Sequence, residues 1–302
     1  MLQKLRDRSN LEFFIKKISK LEEESRVLAD NLRSGFSGKG RNYIITYHRL
    51  GYLPASIAYW FILTMDIDRN VLFNESNAIT YYVLPYREKS FLLFYTSNPY
   101  TASTINLLQS ARVMGYDTLV VTLEPRDERV KSIYSRYNKL YVLREDEIEA
   151  TLIMSIATYY ALSRIYRDKL GVRGKHLYQH VEEGLTPIVE ELIDKYLDQL
   201  TRIVRNKNVI VTSSKILEPV AIYLVEILRR INLKAYYQSP EQVPSSQYIV
   251  LLSTSVEEYL ARELMFKYNM MNSTVENMVM NTDPLEAQIY FAILFYYLTT
   301  IK

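Results

Sequence analysis

Cysteine is absent from the 302 residues, which excludes a disulfide framework and any thiolate metal site. Histidine occurs only at His48, His176 and His180, too few for an ordinary imidazole-based metal centre. The pair His176 and His180 has helical i,i+4 spacing, but Leu177 stands where a zincin motif carries Glu, so neither a metal nor another cofactor is expected. Glycine is scarce, at eight residues, and tight phosphate loops usually depend on it. Three of those eight glycines fall in Ser34–Asn42, ahead of a strand, whereas nucleotide-binding loops follow a strand and open a helix. Net charge is slight too: a formal +3 does not argue for nucleic acid by itself. No apolar run reaches the roughly 20 residues that span a bilayer. The most apolar stretches, Tyr52–Met65, Ala150–Leu162 and Ile289–Leu298, read as buried helices. The N-terminus is rich in Lys, Arg and Glu from Lys4 to Arg26 and lacks the apolar core of a signal peptide, so a cytoplasmic protein with no membrane partner is expected.

What is present is ordinary for a folded chain: 48% apolar and 24% charged residues, enough for one large domain or two small ones. Tyrosine is abundant, at 27 residues. Few glycines, no cysteine and many ion-pairing residues suit a thermophile.

Residues 1–33 carry Leu11, Phe14, Ile15, Ile18 and Leu21 at helical spacing, an amphipathic arm that packs on its own core or on a partner subunit. The segment Ser34–Asn42 reads as a loop. From Tyr43 onward strands and helices alternate. Tyr43–Thr46, Thr80–Leu84, Phe91–Tyr95, Thr118–Thr122 and Leu140–Leu143 read as strands, and Pro54–Met65, Pro99–Met114 and Glu147–Lys169 as helices. Residues 176–206 read as one or two bridging helices. Val209–Thr212, Ala235–Tyr237, Tyr248–Leu252 and Val275–Val279 are further strands, with helices over Pro219–Arg230 and Glu257–Tyr268 and a closing helix from Pro284. Such alternation implies parallel sheets covered by helices on both faces.

The two halves match in register. Tyr43-Ile44-Ile45-Thr46 leads to Pro54-Ala55-Ser56-Ile57, as Val209-Ile210-Val211-Thr212 leads to Pro219-Val220-Ala221-Ile222. Leu92 to Asn98 likewise parallels Ile249 to Ser255. Both pairs run strand, hydroxyl-rich turn, helix, which argues for an internal duplication. The domains are expected at 1–40 (arm and loop), 41–175 and 176–302.

Ligands of parallel α/β sheets bind beyond the carboxyl ends of the strands, where helix N-termini point their N–H groups. The segment Thr96 to Thr104 occupies such a turn, with Asn98 placed to cap a helix and Pro99 at its first position. Its hydroxyls at Thr96, Ser97, Thr101 and Thr104 suit an anion such as phosphate; the plainer role for Ser and Thr there is to cap the helix. In the second half, Ser255-Val256-Glu257-Glu258 makes a capping box whose carboxylates repel phosphate, and Ser213 with Ser214 forms a neutral polar turn.

The duplicated units, the hydroxyl-rich turn and the helix after Asp283-Pro284-Leu285 resemble the sugar isomerase (SIS) family over about residues 40–300. The likeness is nearest to the archaeal bifunctional phosphoglucose/phosphomannose isomerases. The resemblance implies an α/β fold of two tandem SIS-type units, flavodoxin-like with doubly wound parallel sheets. It also implies a phosphosugar ligand and a homodimer paired across terminal helices. The family's phosphate loop reads Ser-x-Ser-Gly-Asn-Thr-x-Glu-Thr, and here Asn98, Pro99 and Tyr100 replace Ser, Gly and Asn while Thr101 and Thr104 keep their type. Its Glu-Asn base motif falls on Ile231-Asn232, its ring-opening His would stand within Gln242-Val243-Pro244-Ser245, and its Lys falls near Leu294. The catalytic positions are therefore expected to be divergent. Glu218 and Glu241 are the acidic residues that the sequence places near the cleft.

Two functions remain open. One is a phosphosugar-binding protein, with or without isomerase activity. The other is a non-catalytic interaction protein that binds a protein or RNA through basic, Tyr-bearing segments, Lys131–Lys139 and the arm at Lys4–Lys20. The apolar helix Ile289–Leu298 must be buried in its own core or against a second copy.

Overall fold

The computed structural model of the chain describes residues 2–36, 39–87, 90–169, 171–245 and 248–301. Two helices open it, the short α1 (Leu2–Leu5) and the long α2 (Arg8–Phe36). There follow β1 (Asn42–His48), α3 (Tyr52–Met65), β2 (Asn70–Glu75), α4 (Ser76–Tyr82), β3 (Phe91–Thr96), α5 (Ala102–Val113), β4 (Asp117–Leu123), α6 (Glu128–Tyr134), β5 (Asn138–Val142), α7 (Glu147–Ile165) and α8 (Val172–Glu183). Then come α9 (Val189–Arg205), β6 (Asn208–Ser213), α10 (Glu218–Arg230), β7 (Lys234–Tyr237), β8 (Tyr248–Thr254), α11 (Glu258–Met270), β9 (Thr274–Met280) and α12 (Pro284–Tyr296). The chain divides into two compact units, Glu22–Glu182 and Met1–Leu21 with Glu183–Lys302.

Each unit holds one sheet in which all strands run parallel. The first is ordered β2-β1-β3-β4-β5 and the second β7-β6-β8-β9. The second order repeats the first four strands of the first, so the duplication legible in the sequence is a duplication of topology. Both sheets are flanked by helices, giving two tandem flavodoxin-like units with an N-terminal helical region. Parallel central strands are covered on both faces, which is why β3 and β8 are apolar runs with every residue buried. One face of the first sheet packs Ile44, Leu92, Phe94 and Val120 against Ile79, Leu107, Leu108 and Tyr134. On the other, α3 lies against α7, whose residues Ala150 to Ser163 are all buried.

The arm packs on its own core. Phe14 is fully buried with its ring centroid 5.0 Å from that of Tyr297, and Tyr297 Oη donates to the Leu5 carbonyl at 2.8 Å. Further along, Ser25 Oγ donates to the Ile153 carbonyl and Tyr160 Oη to Glu22. The closing helix α12 is buried in its own unit against α9 and α10, so its apolar surface does not call for a second copy. Among the described residues no helix is long and apolar enough to cross a membrane.

Several local expectations differ from the structure. Thr80–Leu84 is not a strand: Thr80 to Tyr82 end α4, and the strand is Asn70–Glu75. The β-formers Thr, Tyr, Tyr, Val and Leu gave way to tertiary context, because a helix lets Ile79 and Thr80 bury beside α5. Helix α2 runs on through Ser34 to Phe36, where Phe36 stacks on Tyr43; Ser37 and Gly38 of the expected loop lie outside the described residues. Helix α5 is capped by Thr101, three residues beyond Asn98, which leaves Pro99 in the turn. The capping box of the second half is Thr254 with Glu257, one residue earlier than the Ser255 pattern, because β8 holds Thr254 in extended geometry. In the basic segment Lys131–Lys139, Tyr134 is fully buried, and the partly buried Tyr137 packs against the same core with its Oη donating to the Leu108 carbonyl.

Candidate functional site

In the first sheet the chain leaves β1 for β2 on one side and then crosses to β3 on the other. The carboxyl ends of β1 and β3 are therefore the topological switch point, where such sheets open a crevice. His48 ends β1 and lies beside Thr96 of β3. The next residue, Arg49, has φ 55°, a left-handed conformation unusual for arginine. Two residues on, Gly51 lies so close to β3 that a Cβ there would stand 2.3 Å from the Tyr95 carbonyl oxygen. The turn after β1 is thus pressed onto the backbone of β3, and Arg49 is held at the crevice.

The turn after β3 is stapled by its own hydroxyls. Thr96 Oγ1 donates to the Asn98 carbonyl at 3.0 Å and accepts from the Asn98 N–H at 3.1 Å. Thr101 Oγ1 caps α5, accepting from the Thr104 N–H and donating to Thr104 Oγ1 at 2.9 Å. Thr104 Oγ1 in turn donates to the Asn98 carbonyl at 3.3 Å. Asn98 Oδ1 accepts from the Tyr100 N–H, and Tyr134 Oη donates to the Pro99 carbonyl. Of the four hydroxyl residues nominated for phosphate, Thr96, Thr101 and Thr104 hold one another and the turn.

Ser97 points elsewhere. Its Oγ donates to Glu147 Oε2 at 3.0 Å, and Asn98 Nδ2 donates to Glu147 Oε1 at 3.4 Å. Arg49 Nε lies 3.3 Å from the same Glu147 Oε2. Glu147 is the first residue of α7, capped by the Asp146 carboxylate, which accepts from the Ile148 N–H at 2.7 Å. Three donors from two turns therefore converge on one carboxylate supplied by a third element. Glu147 and Ser97 line a cleft of about 300 Å³ together with Asn98, Tyr100, Arg126 and Arg144. Across the cleft Arg126 pairs with Glu145, and its N–H donates to Tyr100 Oη at 2.7 Å. Ser76 Oγ stands 3.5 Å from His48 Nδ1, and burial together with the Arg49 cation holds the His48 imidazole below its ordinary pKa, against the carboxylates of Glu75 and Glu147.

Glu147 was not among the acidic residues nominated from the sequence. Its signal was local: an N-cap Asp four residues after the last strand of the first sheet sets the following side chain at that sheet's carboxyl edge. Glu218 and Glu241 belong to the second unit. Glu218 pairs with Lys215. Ser213 ends β6 and Tyr237 ends β7; burial first, then the Glu218 carboxylate, pushes the Tyr237 phenol up to about 12, while Ser213 moderates the rise and Glu241 adds to it. Ser213 and Ser214 are both buried. Beside them Thr254 donates to Glu257 from its N–H and its hydroxyl, so a carboxylate already fills the second unit's counterpart of the Ser97 turn. Among the described residues no three His, Asp or Glu side chains are grouped to hold a metal ion.

No family model and no curated protein matches the sequence. Solved structures do match in three dimensions. The C-terminal domain of glucosamine-fructose-6-phosphate aminotransferase from Francisella tularensis is 14% identical with a TM-score of 0.65, each chain covered over 96%. Tagatose-6-phosphate ketose/aldose isomerase from Escherichia coli is 11% identical with a TM-score of 0.59, over 99% of this chain and 92% of that one. Glucosamine-6-phosphate deaminase from Thermotoga maritima is 12% identical with a TM-score of 0.57, over 94% and 93%. At such identities the likeness establishes the fold, which this chain shares with these three structures.

Proposed function

We propose that this chain binds a phosphorylated sugar at the carboxyl edge of its first sheet, in the crevice between the β1 and β3 turns and the head of α7. One observation carries the reading: Ser97, Asn98 and Arg49 converge on a single anionic group, the Glu147 carboxylate. Donors that satisfy a carboxylate suit a phosphoryl group, and the first-turn N–H groups of α5 add their dipole. In this reading Ser97 contacts the phosphate, while Thr96, Thr101 and Thr104 give the turn its shape. The fold shared with proteins named for sugar phosphates supports the ligand class.

Isomerisation moves a proton between adjacent sugar carbons and requires a carboxylate within reach. In this crevice that group is Glu147, and it takes the role that the sequence left unassigned. Thermal unfolding of the whole chain with fructose 6-phosphate, glucose 6-phosphate and mannose 6-phosphate tests binding. A ligand at a hundred times its Kd adds about 2.7 kcal/mol, about 4 °C for a chain of this size. Ser97→Ala should remove most of that shift without disturbing the turn. No shift with any of the three sugars would refute the reading. Turnover is tested by deuterium uptake from solvent at C2 of the sugar, which Glu147→Gln should stop.

A further inference from the structure

We propose that Glu147 is a built-in competitor for the ligand's phosphate: in the free protein its carboxylate fills the anion site, and the arriving phosphoryl group must displace it. This rests on the phosphosugar reading above and goes beyond it, because it assigns the resting state of the site. The geometry is that of an occupied receptor. Ser97 Oγ and Asn98 Nδ2 each donate to a different oxygen of Glu147, at 3.0 and 3.4 Å, and Arg49 Nε approaches one of those oxygens at 3.3 Å. A phosphoryl group seeking these donors meets a negative charge already hydrogen-bonded to them. The other elements of the turn cannot substitute. The hydroxyls of Thr96, Thr101 and Thr104 are committed to the turn, and Pro99 has no N–H to offer.

Displacement is sterically open. Glu147 keeps 22% of its side-chain surface exposed where it borders the cleft of about 300 Å³, into which the carboxylate can swing by χ rotation. Arg49 is also partly exposed, so it can follow the incoming charge. Binding then exchanges partners: Ser97, Asn98 and Arg49 pass from carboxylate to phosphate, and Glu147 is released toward the sugar carbons. No bond is made or broken. The second unit supports the logic, since its equivalent turn is filled by the Glu257 carboxylate, which accepts from the Thr254 N–H and hydroxyl within its own helical turn.

The probe is inorganic phosphate, titrated against the thermal midpoint of the whole chain at one pH and constant ionic strength. Glu147→Ala should bind phosphate at least tenfold more tightly than the wild type. Glu145→Ala removes a carboxylate of the same cleft that pairs with Arg126 instead; it should stay within about twofold of the wild type. The double variant Ser97→Ala with Glu147→Ala should lose the gain. Equal phosphate affinity in the wild type and Glu147→Ala would overturn the inference while leaving the phosphosugar reading intact. An equal gain from Glu145→Ala would reduce the effect to general charge and overturn it as well. If no variant responds to phosphate, and the wild type ignores the sugar phosphates, the inference and the reading beneath it both fail. Circular dichroism of each variant without phosphate checks that it is folded.

Discussion

Replacing Gly51 by Ala is a severe test of how the crevice is built. The backbone at Gly51 has φ −56° and ψ −12°, which any residue adopts, so conformational freedom is not what the position demands. What it demands is space. A Cβ would meet the Tyr95 carbonyl oxygen at 2.3 Å, the Tyr95 carbonyl carbon at 2.6 Å and the Thr96 Cα at 2.9 Å. All three are backbone atoms of β3, which is locked between β1 and β4 and cannot yield as a side chain would. The turn after β1 must retreat by about 1 Å, breaking the packing that holds Arg49 over Glu147. Overpacking against a rigid partner costs about 2–4 kcal/mol. For a chain of this size that lowers the thermal midpoint by about 3–6 °C. Chemical denaturation followed by circular dichroism measures the loss, and the response to sugar phosphate should weaken alongside it. Arg49→Gly is the contrasting variant. It relieves about 1 kcal/mol of left-handed strain and gives up a partly exposed ion pair worth about as much or less, so stability should hardly change while phosphosugar binding falls. A Gly51→Ala protein within 0.5 kcal/mol of the wild type, by the scatter expected of neutral surface changes at about that size, would refute the close-approach reasoning.

Three further outcomes follow from other contacts. Asp66 is almost wholly buried; burial opposes its charge, but hydrogen bonds from Lys169 and Arg69 outweigh that and hold its pKa below the ordinary value. Its stabilisation is therefore full above the unfolded-chain pKa near 3.9 and is lost as pH falls through the lower folded value. Asp66→Asn should cost about 1–3 kcal/mol at neutral pH, since Lys169 is half-exposed and screened, and should flatten the acid limb of a stability-against-pH curve. Tyr134→Phe removes the donor to the Pro99 carbonyl; a loss of about 1–2 kcal/mol in denaturant titration, with a weaker phosphosugar response, is expected. In the second unit Arg202 grips Glu276 with two hydrogen bonds, at 2.6 and 2.9 Å, and Tyr248 adds a third. Glu276→Gln should cost about 1–2 kcal/mol and speed amide exchange in β8 and β9.

Much of the fold was legible because parallel, buried strands leave a strong mark. Phe91–Tyr95 and Tyr248–Leu252 are continuous apolar runs, and both are central strands. The edge strand β2 was not legible. Asn70–Glu75 is only partly buried and lacks the run of β-formers that Thr80–Leu84 displays inside and just after a helix. Propensity is a local quantity, and the burial of Ile79 beside α5 is not. The helix start at Thr101 was hidden for a similar reason. Asn98-Pro99 is a good N-terminal signal, but the Thr96 and Thr104 hydroxyls tie the Asn98 carbonyl into the turn and delay the helix.

The hydroxyl-rich turn and the paired halves were determined by sequence alone, since strand patterning and turn chemistry are read from neighbouring residues. Which hydroxyl faces the crevice was decided only by tertiary structure. Thr96, Thr101 and Thr104 turn inward because packing gives each a partner within the turn. Ser97 meets Glu147 because parallel strands deliver their carboxyl ends to one edge, bringing together residues 50 positions apart along the chain. No local pattern encodes that meeting, for it depends on the order in which the strands lie in the sheet.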